Sequence, residues 1–126
     1  MNLGLKDKII LVTGGDKGIG SGICRVLAKE GAVPVIIGRN ENDVLAAVDD
    51  ITKKGGKAFY ALAELTDPGQ YKKAIEKTIN EYGQINGLVN NAGVNDGIGL
   101  EHGNYDHFKR SLERNVGHYY VMAHYA

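Results

Sequence analysis

The chain has few of the features that mark several large classes of protein. Its 126 residues include one cysteine, Cys24, and their formal net charge is zero, from 15 basic and 15 acidic side chains. A single cysteine permits no internal disulfide and suits a reducing compartment. Balanced charge argues against a nucleic-acid partner and against an anionic membrane surface. Without a bilayer-spanning apolar run or a signal-peptide layout at its start, the sequence predicts a soluble cytoplasmic protein.

Glycine, in contrast, is abundant, and apolar runs alternate with helical patterns. The 18 glycines indicate tight turns or close approach of the backbone to a ligand. Strands are expected at 9–12, 33–38, 57–63 and 85–90, with helices between them and a last helix from about Asn104. This alternation predicts an α/β fold, a doubly wound parallel sheet.

The sequence marks the start of the third helix and the apolar stripe of the first. Asp67 is the expected N-cap of the third helix, with Pro68 at its first position and Gln70 reaching back as in a capping box. In the first helix, the apolar residues Ile19, Ile23, Val26 and Leu27 recur at helical spacing. This spacing predicts the first helix, which ends at Gly31.

The stretch TGGDKGIG, residues 13–20, joins the first strand to the first helix. Glycines in such a turn allow the bend, the approach of the backbone to a diphosphate, and close packing of helix on sheet. The N–H groups and dipole of the helix start would then attract the anion. The alternative is that these glycines merely shape a tight turn. The predicted cofactor-binding residues of this stretch are Thr13, Gly14, Asp16, Lys17, Gly18, Ile19 and Gly20, and Gly14, Gly18 and Gly20 are those that a diphosphate requires.

The spacing Thr-Gly-x-x-x-Gly-x-Gly resembles that of the short-chain dehydrogenase/reductase family. The Asn-Asn-Ala-Gly motif at 90–93 follows the fourth strand, where that family carries it. Glu64 and Leu65 follow the third strand, where the family has an aspartate and an aliphatic residue beside the adenine. Asn115 stands in a setting similar to that of the family's catalytic asparagine. The resemblance implies a Rossmann-like doubly wound parallel sheet with strand order 3-2-1-4 and later strands missing. It also implies an oxidoreductase that moves a hydride between NAD(P) and a secondary alcohol or carbonyl compound.

The resemblance also implies roles for individual residues of these motifs. Asn90 would brace the central strand, Asn91 belongs to the same cofactor-binding motif, and Ala92 and Gly93 would line the adenosine ribose. The backbone carbonyl of Asn115 would hold a water linked to the catalytic lysine. The alternative for the Asn-Asn-Ala-Gly motif is an ordinary turn at the end of a strand.

The residue that ends the second strand decides how the adenosine ribose is recognised, because an acidic residue there accepts bonds from the ribose hydroxyls. Here that residue is Gly38, followed by Arg39, and Lys17 lies in the glycine-rich turn. Two cations without a carboxylate favour NADP over NAD. The alternative is that Arg39 stacks on the adenine and Lys17 is solvated.

Tyr105 and Lys109 have the spacing of the family's catalytic Tyr-x-x-x-Lys pair, and on a helix they share one face. Tyr105 also shares an apolar stripe with Phe108 and Leu112, and it precedes Asn115, whereas the family's pair follows the asparagine. No serine stands just before it. We therefore expect Tyr105 to pack against the sheet rather than to transfer a proton.

If Asn115 is the family asparagine, the catalytic serine, tyrosine and lysine lie beyond Ala126. Residues 1–126 are then expected to be the NAD(P)-binding N-terminal half of a longer domain, inactive alone. The fourth strand would have an exposed edge and the last helix an uncovered apolar face, so a homo-oligomer, dimer or tetramer, is expected. The alternative is a non-catalytic nucleotide-binding module.

The remaining polar residues carry weaker predictions. The four histidines have no usual metal-ligand spacing, and no metal site is expected. The polar loop after the fourth strand should lie over the carboxyl ends of the strands, where ligands bind. Its side chains suggest a sugar or polyol as the small-molecule substrate: Asn95, Asp96, Glu101 and His102.

Overall fold

The computed structural model describes residues 1–64 and 66–126, and these contain a four-stranded parallel sheet flanked by helices. The strands are β1 (Ile9–Thr13), β2 (Val33–Gly38), β3 (Phe59–Leu62) and β4 (Gly87–Val89). The helices are α1 (Gly18–Lys29), α2 (Glu41–Lys53), α3 (Pro68–Tyr82), α4 (Tyr105–Leu112) and α5 (His118–Tyr125), with a π-helical segment (Glu113–Gly117) between the last two. The sheet order β3-β2-β1-β4 confirms the predicted doubly wound topology.

Each face of the sheet has its own apolar core, because successive strand residues point to opposite faces. On one face the strands pack against α3 and α5 through Leu11, Val35, Ile37, Tyr71, Ile75 and Met122. On the other face they pack against α1 and α2 through Val12, Ile36, Cys24, Val44 and Ile51. Burial on both faces explains why β1 and β2 are continuous apolar runs rather than alternating ones.

The start of α3 follows the prediction with one difference. The Asp67 carboxylate accepts hydrogen bonds from the backbone N–H groups of Gly69 at 3.0 Å and Gln70 at 3.3 Å. The Gln70 side chain does not reach back to the Asp67 N–H. Its carbonyl oxygen instead accepts from the backbone N–H of Glu64 at 2.8 Å, and its amide donates to the Asp67 carboxylate. Gln70 therefore joins the end of β3 to the helix cap.

The predicted first helix is present as α1, but its apolar stripe is only partly buried. Ile19 and Val26 are 79% and 60% exposed, and the fully buried positions of the helix are Gly20 and Cys24. A Cβ at Gly20 would overlap the carbonyl oxygen of Gly14. Because Gly20 lets the helix approach the glycine-rich turn this closely, the helix is rotated toward its small residues and away from its large ones.

The prediction that Tyr105 packs against the sheet is also wrong. Tyr105 is 72% exposed, and the other members of its stripe, Phe108, Leu112 and Val116, are exposed as well. The last helical region contacts the core further along, through His118 and Met122, which are buried against α3. The expected uncovered apolar face is therefore present, and Tyr105 is part of it.

Among residues 1–64 and 66–126, no helix combines the length and apolar character that crossing a bilayer requires. The same residues contain no group of three or more histidine, cysteine or acidic side chains arranged to hold a metal ion.

Candidate functional site

A cleft of about 280 Å³ opens at the carboxyl edge of the sheet, between the turn after β1 and the segment after β4. The chain order reverses at this point, since β2 and β3 lie on one side of β1 and β4 on the other. Ligands of open α/β sheets bind at such a reversal. The predicted residues that line the cleft are Thr13, Gly14, Asp16, Lys17, Gly18, Arg39, Asn91, Ala92 and Gly93.

Thr13 joins the two walls of the cleft. Its buried hydroxyl accepts hydrogen bonds from the backbone N–H groups of Asn91 and Ala92, both at 3.0 Å. In return, the Asn91 side-chain amide donates to the carbonyls of Thr13 at 3.1 Å and Gly14 at 3.3 Å. These bonds satisfy backbone groups that neither the sheet nor a helix engages. They hold the glycine-rich turn against the Asn-Asn-Ala-Gly motif.

Glycine is required where these walls meet. Gly14 has a φ of +64°, and a Cβ there would stand 3.0 Å from the Cα of Ala92. The start of α1 has no side-chain cap, and its first turn contains no acidic residue. Its N–H groups are therefore available for an anion in the cleft.

The far end of the cleft carries more negative charge than the sequence predicts. Lys17 forms an ion pair with Asp43 at 2.8 Å, and Arg39 lies 3.9 Å from a carboxylate oxygen of Glu64. The hydrogen bond and charge of Asp43 raise the pKa of Lys17, and the charge of Asp16 adds to this effect. The expectation of two cations without a nearby carboxylate is therefore wrong.

Asn115 lies behind the cleft and does not line it. In the π-helical segment, its side-chain oxygen accepts from the backbone N–H of Val94 at 2.8 Å, and its amide donates to the Ser111 carbonyl at 3.0 Å. A Cβ at Gly93 would lie 2.8 Å from the same side-chain oxygen. Asn115 thus fixes the end of the Asn-Asn-Ala-Gly motif to the helix, and π-helical turns often mark functional positions.

The Asn90 side chain does not brace the central strand. Its amide donates to the carbonyl of Tyr119 in α5 at 3.2 Å. The bonds to the end of β1 come from Asn91. The Asn90 side chain therefore bonds to α5, whereas the Asn91 side chain bonds to the glycine-rich turn.

This geometry agrees with the comparison with known proteins. The family model described as short chain dehydrogenase matches residues 8–126. The chain belongs to the short-chain dehydrogenase family. It is 35% identical over 122 residues to the 7alpha-hydroxysteroid dehydrogenase of Clostridium sardiniense, covering 94% of this chain and 47% of the relative. It is 37% identical over 90 residues to the cyclopentanol dehydrogenase of Comamonas testosteroni, covering 71% and 36%.

Two solved structures superpose closely on the chain. A dehydrogenase/reductase from Sinorhizobium meliloti has a TM-score of 0.90 at 31% identity, over 96% of this chain and 48% of that one. A blue fluorescent protein from a metagenomic library, in complex with NADPH, has a TM-score of 0.87 at 33% identity, over 100% and 51%. The chain therefore spans about half the length of the relatives that it matches.

Four of the predicted cofactor-binding residues of this short-chain dehydrogenase chain do not line the cleft wall. Ile19 and Gly20 lie in the first turn of α1, one exposed and the other beneath Gly14. Asn90 bonds to α5, and Glu64 pairs with Arg39. Leu65 falls outside the described residues.

Sequence reasoning missed Tyr71 as a lining residue. Its ring is buried among the core residues, and its hydroxyl has no hydrogen-bond partner within the described part of the chain. Burial raises the pKa of this hydroxyl, and the charge of Glu64 adds to the shift. The helical stripe marked Tyr71 as a core residue, and nothing in the sequence indicates that it also reaches the cleft.

A second, larger cavity of about 680 Å³ lies between α4 and the loop before it, and it shares no lining residue with the cleft. In this loop Asp96 is held by Arg114 at 2.7 Å, and the hydrogen bond from Arg114 lowers the pKa of Asp96. Asn95 accepts from the backbone of Gly97 at 2.9 Å. Two of the side chains predicted to contact a polyol are thus engaged, Asn95 within the loop and Asp96 by the π-helical segment.

Proposed function

We propose that the protein is an NAD(P)-dependent oxidoreductase that moves a hydride between the cofactor and a secondary alcohol or carbonyl compound, with NADP as the expected cofactor. The observation that carries the proposal is the bonding of Thr13 to Asn91 and Ala92, which holds a glycine-rich turn across the cleft at the reversal of the sheet. Membership of the short-chain dehydrogenase family supports the reaction class. The similar blue fluorescent protein in complex with NADPH and a similar short-chain oxidoreductase in complex with NADP support the cofactor.

The residues present fit a dinucleotide. The uncapped start of α1 and the bare backbone of Gly14 suit a diphosphate, which needs N–H donors and close approach. Ala92 and Gly93 form the wall for the adenosine ribose, and Lys17 and Arg39 stand at its far end. When bound, the cofactor supplies the hydride chemistry. The chain's own part is to bind and orient the cofactor, and Asn115 keeps the Asn-Asn-Ala-Gly wall in place through Val94.

The binding function is tested with two glycines of α1 in the protein at its full natural length. Gly20→Ala places a methyl group against the Gly14 carbonyl, whereas Gly22→Ala, two residues on, meets no atom within 4 Å. We expect Gly20→Ala to raise the dissociation constants of NADPH and NADH about tenfold or more, which corresponds to a loss of about 1.4 kcal/mol in binding free energy. Gly22→Ala should leave both unchanged. Fluorescence titration measures this, and a folded wild-type protein that binds neither dinucleotide would overturn the proposal.

We further propose that residues 1–126 are the cofactor-binding half of a longer catalytic domain, in a soluble cytoplasmic enzyme whose substrate is a sugar or polyol. The length of the matched relatives supports the proposal of a longer domain, because they are about twice as long as this chain. The 126-residue polypeptide alone should then bind cofactor without turnover. Polyol-dependent reduction of NADP by the 126-residue polypeptide would contradict the proposal that it is only the cofactor-binding half. A full-length enzyme that is inert to polyols and sugars would contradict the proposed substrate.

The exposed apolar stripe of α4, formed by Tyr105, Phe108 and Leu112 and continued by Val116, supports a homo-oligomer in which this face is covered. Phe108→Lys should lower the mass of the full-length assembly measured by sedimentation. Val26→Lys, at an exposed position on α1, is the matched control. An unchanged mass for Phe108→Lys would exclude this face as the contact.

A further inference from the structure

The carboxylate of Asp16 lies where the side chain of residue 38 would otherwise begin. A Cβ built on Gly38 would stand 2.8 Å from the Asp16 side-chain oxygen Oδ1 and 2.8 Å from a methyl group of Val44. A side chain at residue 38 would therefore have to displace the Asp16 carboxylate or the Val44 methyl group. Asp16 itself is half-buried in the glycine-rich turn and lines the cleft. Among the described residues, no hydrogen bond or ion pair holds its carboxylate.

The position of the Asp16 carboxylate matters because it lies beside the end of the second strand. A carboxylate at the end of the second strand accepts hydrogen bonds from the ribose hydroxyls of NAD and repels the 2′-phosphate of NADP. The sequence has glycine at this position, so the second strand itself ends without a carboxylate. In three dimensions it is supplied by Asp16, from a turn that lies 22 positions earlier in the chain.

We propose that Asp16 is the residue that sets the choice between NAD and NADP, through a carboxylate that accepts from the adenosine ribose hydroxyls and opposes a 2′-phosphate. The proposal rests on the proposed function and deepens it. The cations at this end of the cleft already have counter-ions, Asp43 for Lys17 and Glu64 for Arg39. A 2′-phosphate would have to compete with both while facing Asp16, so the preference for NADP that the two cations create is held low.

The test compares Asp16→Asn with Glu41→Gln in the full-length protein. Asparagine keeps the shape of Asp16 and removes its charge, whereas Glu41 is an exposed acid in the first turn of α2 that does not line the cleft. The dissociation constants of NAD and NADP are measured by calorimetry at one fixed salt concentration, because screening weakens such effects. The quantity compared is the ratio of the two constants, NAD over NADP.

We expect Asp16→Asn to raise this ratio about tenfold or more, by tightening NADP and weakening NAD, which corresponds to about 1.4 kcal/mol. Glu41→Gln should leave the ratio within about twofold of the wild type. Asp16→Ser gives the same comparison if the asparagine variant does not fold. A ratio that stays the same or falls in both Asp16 variants overturns the assignment, including the case in which both cofactors are weakened equally. Wild-type protein that binds neither cofactor overturns the proposed function itself.

Discussion

Thr13 and Asn91 are joined by hydrogen bonds in both directions. The backbone N–H of Asn91 donates to the Thr13 hydroxyl at 3.0 Å, and the Asn91 side-chain amide donates to the Thr13 carbonyl at 3.1 Å. The two residues are 78 positions apart in the chain. They connect the ends of neighbouring strands β1 and β4, and the cleft depends on that connection.

Replacing Thr13 by valine should therefore destabilise the fold and weaken dinucleotide binding together. The methyl group that replaces the hydroxyl leaves the N–H groups of Asn91 and Ala92 without their acceptor, and an orphaned buried donor costs about 1–3 kcal/mol. We expect the free energy of unfolding, measured in urea, to fall by about 2 kcal/mol or more. Thr13→Ser keeps the hydroxyl and should lose about 1 kcal/mol, from the missing methyl group.

Thr52 provides the control for this substitution. Its hydroxyl donates to the Asp49 carbonyl within α2, and its side chain is exposed. Thr52→Val should change the free energy of unfolding by no more than about 0.5 kcal/mol. If Thr13→Val were as mild as Thr52→Val, the bond to Asn91 would not hold the cleft together.

Asn115 should act through its side-chain oxygen on the segment after β4. Asn115→Ala removes the acceptor of the Val94 N–H, so amide hydrogen exchange at Val94 should accelerate by about tenfold, as expected for the loss of about 1.4 kcal/mol of local protection. Asn115→Asp keeps that acceptor but turns a carboxylate oxygen toward the Ser111 carbonyl in place of the donor. Protection at Val94 should then be retained while the unfolding free energy falls. Equal exchange rates at Val94 in wild type and Asn115→Ala would refute this role.

His118 should make stability depend on pH in the acidic range. Burial lowers the pKa of His118 below its ordinary value of 6.5, although the hydrogen bond of its Nε2 atom to the Arg114 carbonyl opposes the shift. The unfolded chain then binds a proton below about pH 6.5 that the folded chain resists. Full stability is therefore expected above that pH, with a progressive loss as the pH falls below it toward the folded pKa.

Urea unfolding between about pH 7.5 and about pH 5 measures this dependence. The ring of His118 lies beside the rings of Tyr71 and Tyr119, and no described acid forms an ion pair with it. His118→Gln should flatten the curve, whereas His124→Gln, at an exposed position of the same helix, should leave it as in the wild type. A curve with the same slope in His118→Gln would assign the pH dependence to other groups.

Tyr105→Phe should leave the turnover of the full-length enzyme unchanged. The Tyr105 ring is 72% exposed and lies outside the dinucleotide cleft, with the Lys109 ammonium 5.8 Å from its centroid. Removing a catalytic proton donor typically lowers the reaction rate by about 10²–10⁴-fold. A loss of that size in kcat/KM would make Tyr105 and Lys109 the proton-transferring pair after all.

Several features of the fold follow from the sequence because their causes are local. Continuous apolar runs identify β1 and β2 as strands buried on both faces, and the Asp67-Pro68 pair marks the start of α3 at the residue found. The order of elements then restricts the sheet to a doubly wound one, since right-handed crossovers leave few alternatives.

The sequence alone did not reveal which face of a helix is buried or which charged side chains form ion pairs. The stripe of α4 predicted packing of Tyr105 that the structure does not show, because nothing in residues 1–64 and 66–126 covers that face. In α1, Gly20 sets the rotation of the helix and leaves large residues such as Ile19 exposed. Helical periodicity describes one element, whereas the choice of buried face depends on the closest approach of two.

The sequence by itself determined that this protein is a βα-alternating, glycine-turn protein of the short-chain dehydrogenase type, because strand, helix and turn signals act over a few residues. Only the tertiary structure decided that Thr13 binds Asn91, that Asn115 binds Val94, and that Asp16 stands beside Gly38. These pairs come from separate elements whose ends are brought to one edge of the sheet. Their contacts arise from how the strands align and how closely the helices pack, and neither is encoded at a fixed spacing along the chain.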